Sequence, residues 1–456
     1  MRDVLEYIEK NKERFLEELK DFIRIPSVSA QSAHDADVQK CAAWLKNHLK
    51  NLGLAAEIVE TKGHPIVRAG GGNGQNDPPT KRLIIYGHYD VQPDDPIEQW
   101  KSPPFEPEIR DGFLYARGAT DDKGQLFCHV KAVEALLQTR GKLPCEVLFL
   151  VEGEEESNGD SLADYIRQQK AELAQNLTGV VISDCSMYDE NTPAITYGLR
   201  GIVAMEVQVK GPVNDVHSGT YGGVVGNPAT ALANIIAQCI SPDGRILIPG
   251  FYDDVRQLED FERENYARLN FDDEGLKKEL FLRGLFGEQN FTTLERAWAR
   301  PTFEINGIFG GYTDQGNKTI IPATATAKIT MRLVADQDPK KIGKLVKNYL
   351  ESICPDYVNI QVTEPSGEKP VLIDFSDPLV QAGMQALKQG FGQDAAYIRC
   401  GGSIPVVDTF WQELQKCVLL MGFGLDTDGA HSPNERFRVE SFFKGIKTSV
   451  YLLDNV

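Results

Sequence analysis

The chain has 456 residues, enough for one large core or two ordinary ones. Its 48 Lys and Arg against 66 Asp and Glu leave a net charge of −18, which argues against nucleic acid or an anionic membrane as partner. Metal ions and cationic or zwitterionic small molecules stay open, and most of the surplus reads as a soluble acidic surface. The charged start has no signal-peptide core, and no apolar run approaches a membrane span. The eight Cys form no Cys-x-x-Cys pair. They read as reduced, buried thiols, and the chain as cytoplasmic.

In chain order, apolar residues at helical spacing over 4–23 predict one amphipathic opening helix, and a second pattern runs from Val38 to Leu52. Short runs without alternation follow: Leu83–Tyr86, Val147–Val151, Val180–Ile182 and Val418–Leu420. Such runs predict central strands buried on both faces, as in a mostly parallel sheet. Gly70–Pro79 reads as a flexible surface loop. The middle differs. Residues 203–210 and 324–333 alternate apolar and polar side chains, which predicts antiparallel strands with one solvated face. Helices are expected from Asn227-Pro228, over Pro339–Leu350, over Pro378–Leu387, and at the end through Phe442, Ile446, Val450 and Leu453. The predicted fold is α/β: a mixed, mostly parallel central sheet with helices on both faces, interrupted by an inserted α+β domain. The boundaries are 1–197 and 372–456 for the outer domain and 198–371 for the insert.

Each buried run leads into residues that can bind metal. The first continues into His88 and Asp90, the second into Glu154-Glu155-Glu156, the third into Asp184 and the fourth towards His431. Asp121 adds a carboxylate in a turn before a helix. Ligand sites of open α/β sheets lie beyond the carboxyl ends of the strands. Singly, each residue has an ordinary explanation as a cap, turn residue or surface pair. Together they suit two divalent cations sharing one carboxylate. Mixed nitrogen and oxygen donors favour Zn²⁺, with Mn²⁺ or Co²⁺ open, and hydrolysis is the natural chemistry. Asp90, two residues after His88, can sit behind that imidazole.

These residues stand in YGHYDVQP, ARGATDDKGQ, VEGEEES, ISD and GAHSPNE, joined by ITYGLRG, DVHSGTYGG, GNKTIIP and CGGSIPV. The set resembles the dinuclear zinc metallopeptidases that include cytosolic nonspecific dipeptidase, carnosinase and aminoacylase, and is most similar to the dipeptidase and carnosinase branch. The resemblance implies that His88 and Asp184 bind one metal, Glu156 and His431 the other, and that Asp121 bridges. Glu155 would be the general base, Asp90 would orient His88, and the Asp121–Asp122 peptide would be cis. The insert would be a lid and dimerisation domain. From it His217 would reach the neighbouring active site of a homodimer, Thr319 would lie close by, and Arg332 would bind the substrate carboxylate. Gly402 and Ser403 would contact the substrate backbone. Two departures stand out. Asn158 occupies a position where the branch usually has Gly, and Glu154 one where an apolar or small residue is common. Glu154 would add negative potential near the metals or point to solvent. The activity implied is cleavage of dipeptides or short peptides with a free C-terminal carboxylate. The alternatives are an aminoacylase-type hydrolase of N-acyl amino acids and a non-catalytic metal-binding scaffold.

Overall fold

The structure is a computed structural model that describes residues 1–71, 81–157, 159–402 and 404–456. The chain forms two compact units. One comprises Met1–Tyr197, Ile373–Ile398 and Val406–Val456, and the other Gly198–Leu372 and Arg399–Pro405. The return of seven residues to the second unit lies within the segment read from sequence as outer domain. So short a stretch has no composition of its own to mark it.

The first unit is built on a six-stranded sheet in the order Ala55–Val59, Ile66–Gly71, Glu146–Glu152, Arg82–His88, Leu177–Ile182 and Cys417–Leu420. The last three pairings are parallel and the first two antiparallel, so the sheet is mixed and mostly parallel. Val418, Leu419 and Leu420 have no exposed surface, and burying each such side chain is worth about 1.5–3 kcal/mol. This explains why these strands read as unbroken aliphatic runs. The helix Lys123–Arg140 is buried over nearly its whole length, between the Arg82–His88 strand and the helices Arg2–Lys10, Lys12–Ile23 and Val439–Asn455. Asp35–Asn51 packs on the first two strands and Pro378–Phe391 on the last.

The second unit carries an antiparallel sheet in the order Glu304–Gly310, Thr324–Leu333, Gly201–Lys210 and Asn359–Val362. Val203, Met205, Val207 and Val209 meet Ala325, Ala327, Ile329, Met331 and Leu333 on its inner face, under the helices Pro228–Ala237 and Pro339–Ser352. Asn227 and Asp338 cap those helices by accepting the backbone N–H of Ala229 and Lys341.

Four expectations are corrected. The opening helix is two helices, because Asn11 leaves helical geometry at φ −108°, ψ 10° and its amide donates to the Tyr7 carbonyl at 2.8 Å; local bonding by Asn competes with the helix. Gly70 and Gly71 end a strand rather than lie in a loop, while 72–80 are outside the described residues. Thr326, read as solvated, is buried, with its hydroxyl oxygen 3.4 Å from the Gln208 amide. All eight Cys are free thiols, but Cys400 is exposed and Cys185 and Cys354 only half-buried.

Candidate metal centre

The strand order places the site. Arg82–His88 lies between Glu146–Glu152 and Leu177–Ile182, so His88, its last residue, faces what both neighbours deliver beyond their ends. Gly87 makes the approach possible: a Cβ there would meet Asp122 Oδ2 at 2.7 Å and Leu126 Cδ1 at 2.9 Å. The Asp121–Asp122 peptide is cis.

Asp121 is the geometric centre. One of its carboxylate oxygens lies 3.1 Å from His88 Nε2 and the other 3.0 Å from His431 Nε2. Asp184 Oδ2 stands 3.8 Å from the same His88 nitrogen, and Glu156 Oε1 3.2 Å from the same His431 nitrogen. Ligand atoms of His88, Asp121 and Glu156 all lie within 4.8 Å of one another. The five side chains form two sets of one imidazole and two carboxylates, with Asp121 in both. Asp90 braces both sets. Its Oδ2 accepts from Ser29 Oγ at 2.6 Å and from the Glu156 backbone N–H at 3.0 Å, and its Oδ1 is 3.4 Å from His88 Nδ1. The shortest contact of His88 Nδ1 is the Asp90 backbone carbonyl at 3.1 Å, so the orienting acceptor behind the ring is main chain as well as carboxylate.

The electrostatics follow from crowding. Burial, and then the Asp121 charge, hold Asp184 well above the usual carboxylate range. Burial would also raise Asp121, but hydrogen bonds from His431 and His88 overcome it and lower its pKa. Those bonds, with Glu156, lift His431 to about 10. Burial alone would lower His88, yet Asp121, Asp90 and Asp184 hold it well above the ordinary histidine value. Glu155 is half-buried and pushed up to about 7 by burial, opposed by His88 and helped by Glu156, Asp121 and Asp90. Positive charge between these carboxylates would relieve the crowding. The donor set fits a pair of divalent cations, one beside each imidazole, with mixed nitrogen and oxygen ligation.

Several supporting residues were not anticipated. Gln92 donates to Glu156 Oε2 at 2.7 Å. Tyr86 donates to Glu152 Oε1 at 2.8 Å, and burial raises that carboxyl to about 8. Glu435 is fully buried and accepts hydrogen bonds from Arg117, Gly118, Thr120 and Asp121. No sequence pattern singled it out, since its donors are mostly backbone N–H groups. Glu154 does not point to solvent: it is buried, and its two oxygens accept the backbone N–H groups of His64 and Ser161, each at 2.7 Å. Asn158 lies outside the described residues.

Within the second unit the structure brings His217 and Thr319 together. The Val216–His217 strand pairs with Ile320–Ile321, and His217 Nε2 lies 3.4 Å from Thr319 Oγ1. His217 Nδ1 accepts the Gly219 N–H at 3.0 Å, which leaves the ring proton on Nε2. Arg332 is half-buried and opposite Ile202 in the sheet. Gly402 donates its N–H to Cys400 Sγ at 3.3 Å. Ser403 lies outside the described residues.

Comparison with known proteins places this site in context. The family model described as peptidase family M20/M25/M40 matches residues 84–455. The Cys-Gly metallodipeptidase dug1 of Schizosaccharomyces pombe is 33% identical over 97% of this chain and 95% of its own length. The crystal structure of human carnosine dipeptidase 1 superposes with a TM-score of 0.80 at 29% identity, covering 100% of this chain and 98% of that one. The M20 family metallo-carboxypeptidase Sso-CP2 from Sulfolobus solfataricus gives 0.81 at 34% identity, covering 96% and 98%.

Proposed function

Because the chain belongs to peptidase family M20/M25/M40, we propose that it is a metal-dependent dipeptidase that hydrolyses dipeptides or short peptides with a free C-terminal carboxylate. Full-length similarity to a Cys-Gly metallodipeptidase and to the Beta-Ala-His dipeptidase of Rattus norvegicus supports this reading. The single structural observation that carries it is Asp121, with one carboxylate oxygen turned to each of two imidazoles. His88, Asp121 and Asp184 would hold one cation, and His431, Asp121 and Glu156 the other. Zn²⁺ suits these donors best, with Mn²⁺ or Co²⁺ as substitutes. Bound there, a pair of divalent cations supplies carbonyl polarisation and a more acidic attacking water.

The chain's own residues do the rest. Glu155 follows the buried strand beside Glu156, so base and ligand come from one turn, Glu155–Ser157. Glu155 takes the proton from the attacking water and returns it to the leaving amine. Asp90 holds His88 and the Glu156 backbone in place. His217, with its proton on Nε2, is a donor suited to the oxyanion of the tetrahedral species. By the sequence resemblance it acts from the partner subunit of a homodimer. Arg332 would bind the substrate carboxylate, with Thr319, Gly402 and Ser403 completing the substrate contacts.

The test combines metal analysis with a panel of dipeptides, tripeptides and N-acetyl amino acids. Turnover confined to N-acetyl amino acids refutes the dipeptidase reading in favour of an acylase, and turnover of none of them leaves a metal-binding scaffold. Glu155→Ala is expected to keep its metal and lose about 10²–10⁴-fold in kcat. Loss of metal would make Glu155 a ligand instead.

A further inference from the structure

Asp121 needs more than its two imidazole neighbours. It must aim two oxygens in two directions from a loop, and a loop residue has no regular hydrogen-bond ladder to hold it. The backbone of this loop is gripped from behind by one buried carboxylate. Glu435 Oε1 accepts the N–H of Thr120 at 2.9 Å and of Asp121 at 3.1 Å. Its Oε2 accepts the N–H of Gly118 at 2.9 Å and Nη1 of Arg117 at 2.9 Å. Gly118 has φ +83°, in the left-handed region, which turns its N–H towards the same acceptor as those that follow. Both oxygens therefore accept twice.

Glu435 also lies four residues after His431, just before the short strand Arg436–Arg438, which pairs with Phe113–Tyr115. That pairing ties 431–435 to the segment entering the 117–121 loop. The turn thus meets Asp121 at two points: His431 on a side-chain oxygen, and Glu435 on the backbone N–H. An Arg117 partner alone would explain one of the four bonds, since the other three come from main-chain N–H groups.

We propose that Glu435 is a positioning residue that fixes the backbone of Asp121 relative to His431, so that the two carboxylate oxygens are set for two cations before either binds. This rests on the functional reading above. Outer partners that orient ligands are worth 10–100-fold in metal affinity. In Glu435→Gln the side chain keeps one acceptor oxygen and turns an NH₂ towards two donors.

Calorimetric titration of metal-free, full-length protein with Zn²⁺ tests this. Wild type should bind two ions, and Glu435→Gln should bind at least one of them about 10–100-fold more weakly. Arg117→Gln, which leaves the three backbone bonds in place, should stay within about threefold of wild type. If Glu435→Gln lowers the unfolding midpoint but binds both ions with wild-type affinity, Glu435 is merely structural and the inference falls. It also falls if Arg117→Gln weakens binding as much, because the ion pair then carries the effect. If Glu435→Gln does not fold, hydrogen exchange on metal-free wild type decides. Protected Thr120 and Asp121 amides support the grip, and exchange at the rate of exposed loops overturns it. Wild type that takes up no pair of ions would instead sink the functional reading.

Discussion

Replacing Glu154 by Ala separates two ideas about the acidic triplet. If Glu154 adds negative potential to the metal centre, its removal should act on metal affinity. The structure makes it a staple: one oxygen holds the N–H of His64 and the other that of Ser161, the first residue of the helix Ser161–Leu173. The residue at the usual capping position, Asp160, makes no side-chain cap bond, so Glu154 supplies the cap from seven residues upstream. Hydrogen bonds to a charged group are worth about 1.5–3 kcal/mol each, and a carboxylate at a helix N-terminus adds about 0.3–1 kcal/mol. Water entering the vacated space returns part of this, so Glu154→Ala should cost about 3–4 kcal/mol. Hydrogen exchange of the amides in the first turn of that helix measures it directly, with protection falling by roughly two to three powers of ten. Denaturant unfolding should show a lowered midpoint, and Zn²⁺ affinity should change by less than about threefold. Protection unchanged within about 0.5 kcal/mol, or a loss of metal affinity without loss of stability, would refute the staple.

Lys131 is fully buried and donates to Glu18, to Glu134 Oε2 at 2.7 Å and towards His48 Nε2 at 2.9 Å. Lys131→Met should destabilise by about 1–3 kcal/mol in denaturant unfolding, because the buried Glu134 and the half-buried Glu18 lose one of their two cationic partners and keep only Arg14. Burial lowers His129 to about 3, so the unfolded chain takes up its proton first as pH falls. Stability should then decline on acidification from about 6.5 towards 3, by roughly 2 kcal/mol at pH 5. The same pH series on His129→Gln should lack that portion of the decline. Mixing Asp121→Ala with His217→Ala subunits should restore about a quarter of wild-type turnover if His217 acts across a dimer: half of the dimers are mixed and each has one complete site. No recovery would place His217 in its own subunit's site or outside the site.

What the amino-acid sequence determined by itself was everything written in local pattern. The aliphatic runs at 83–86, 147–151, 180–182 and 418–420 marked two-sided burial, and the alternation at 203–210 marked a one-sided sheet, because side-chain period follows directly from backbone geometry. His88, Glu156 and Asp184 were legible as candidate ligands because polar residues just after buried strands contrast sharply with what precedes them, and Asp121, in a turn before a helix, and His431, beyond a loop, joined them only as parts of the same set. The break at Asn11 was not legible, since the apolar spacing continues across it while a single side-chain hydrogen bond ends the helix. Glu435 and Glu154 were not legible either. One reaches back 314 residues to the Asp121 amide, the other 90 to that of His64. In sequence both look like any of the 66 acidic residues. Whether a carboxylate is solvated, a ligand or a buried clamp is decided by the donors that tertiary folding brings to it, and those donors are backbone N–H groups, which every residue but proline carries and no sequence pattern can single out.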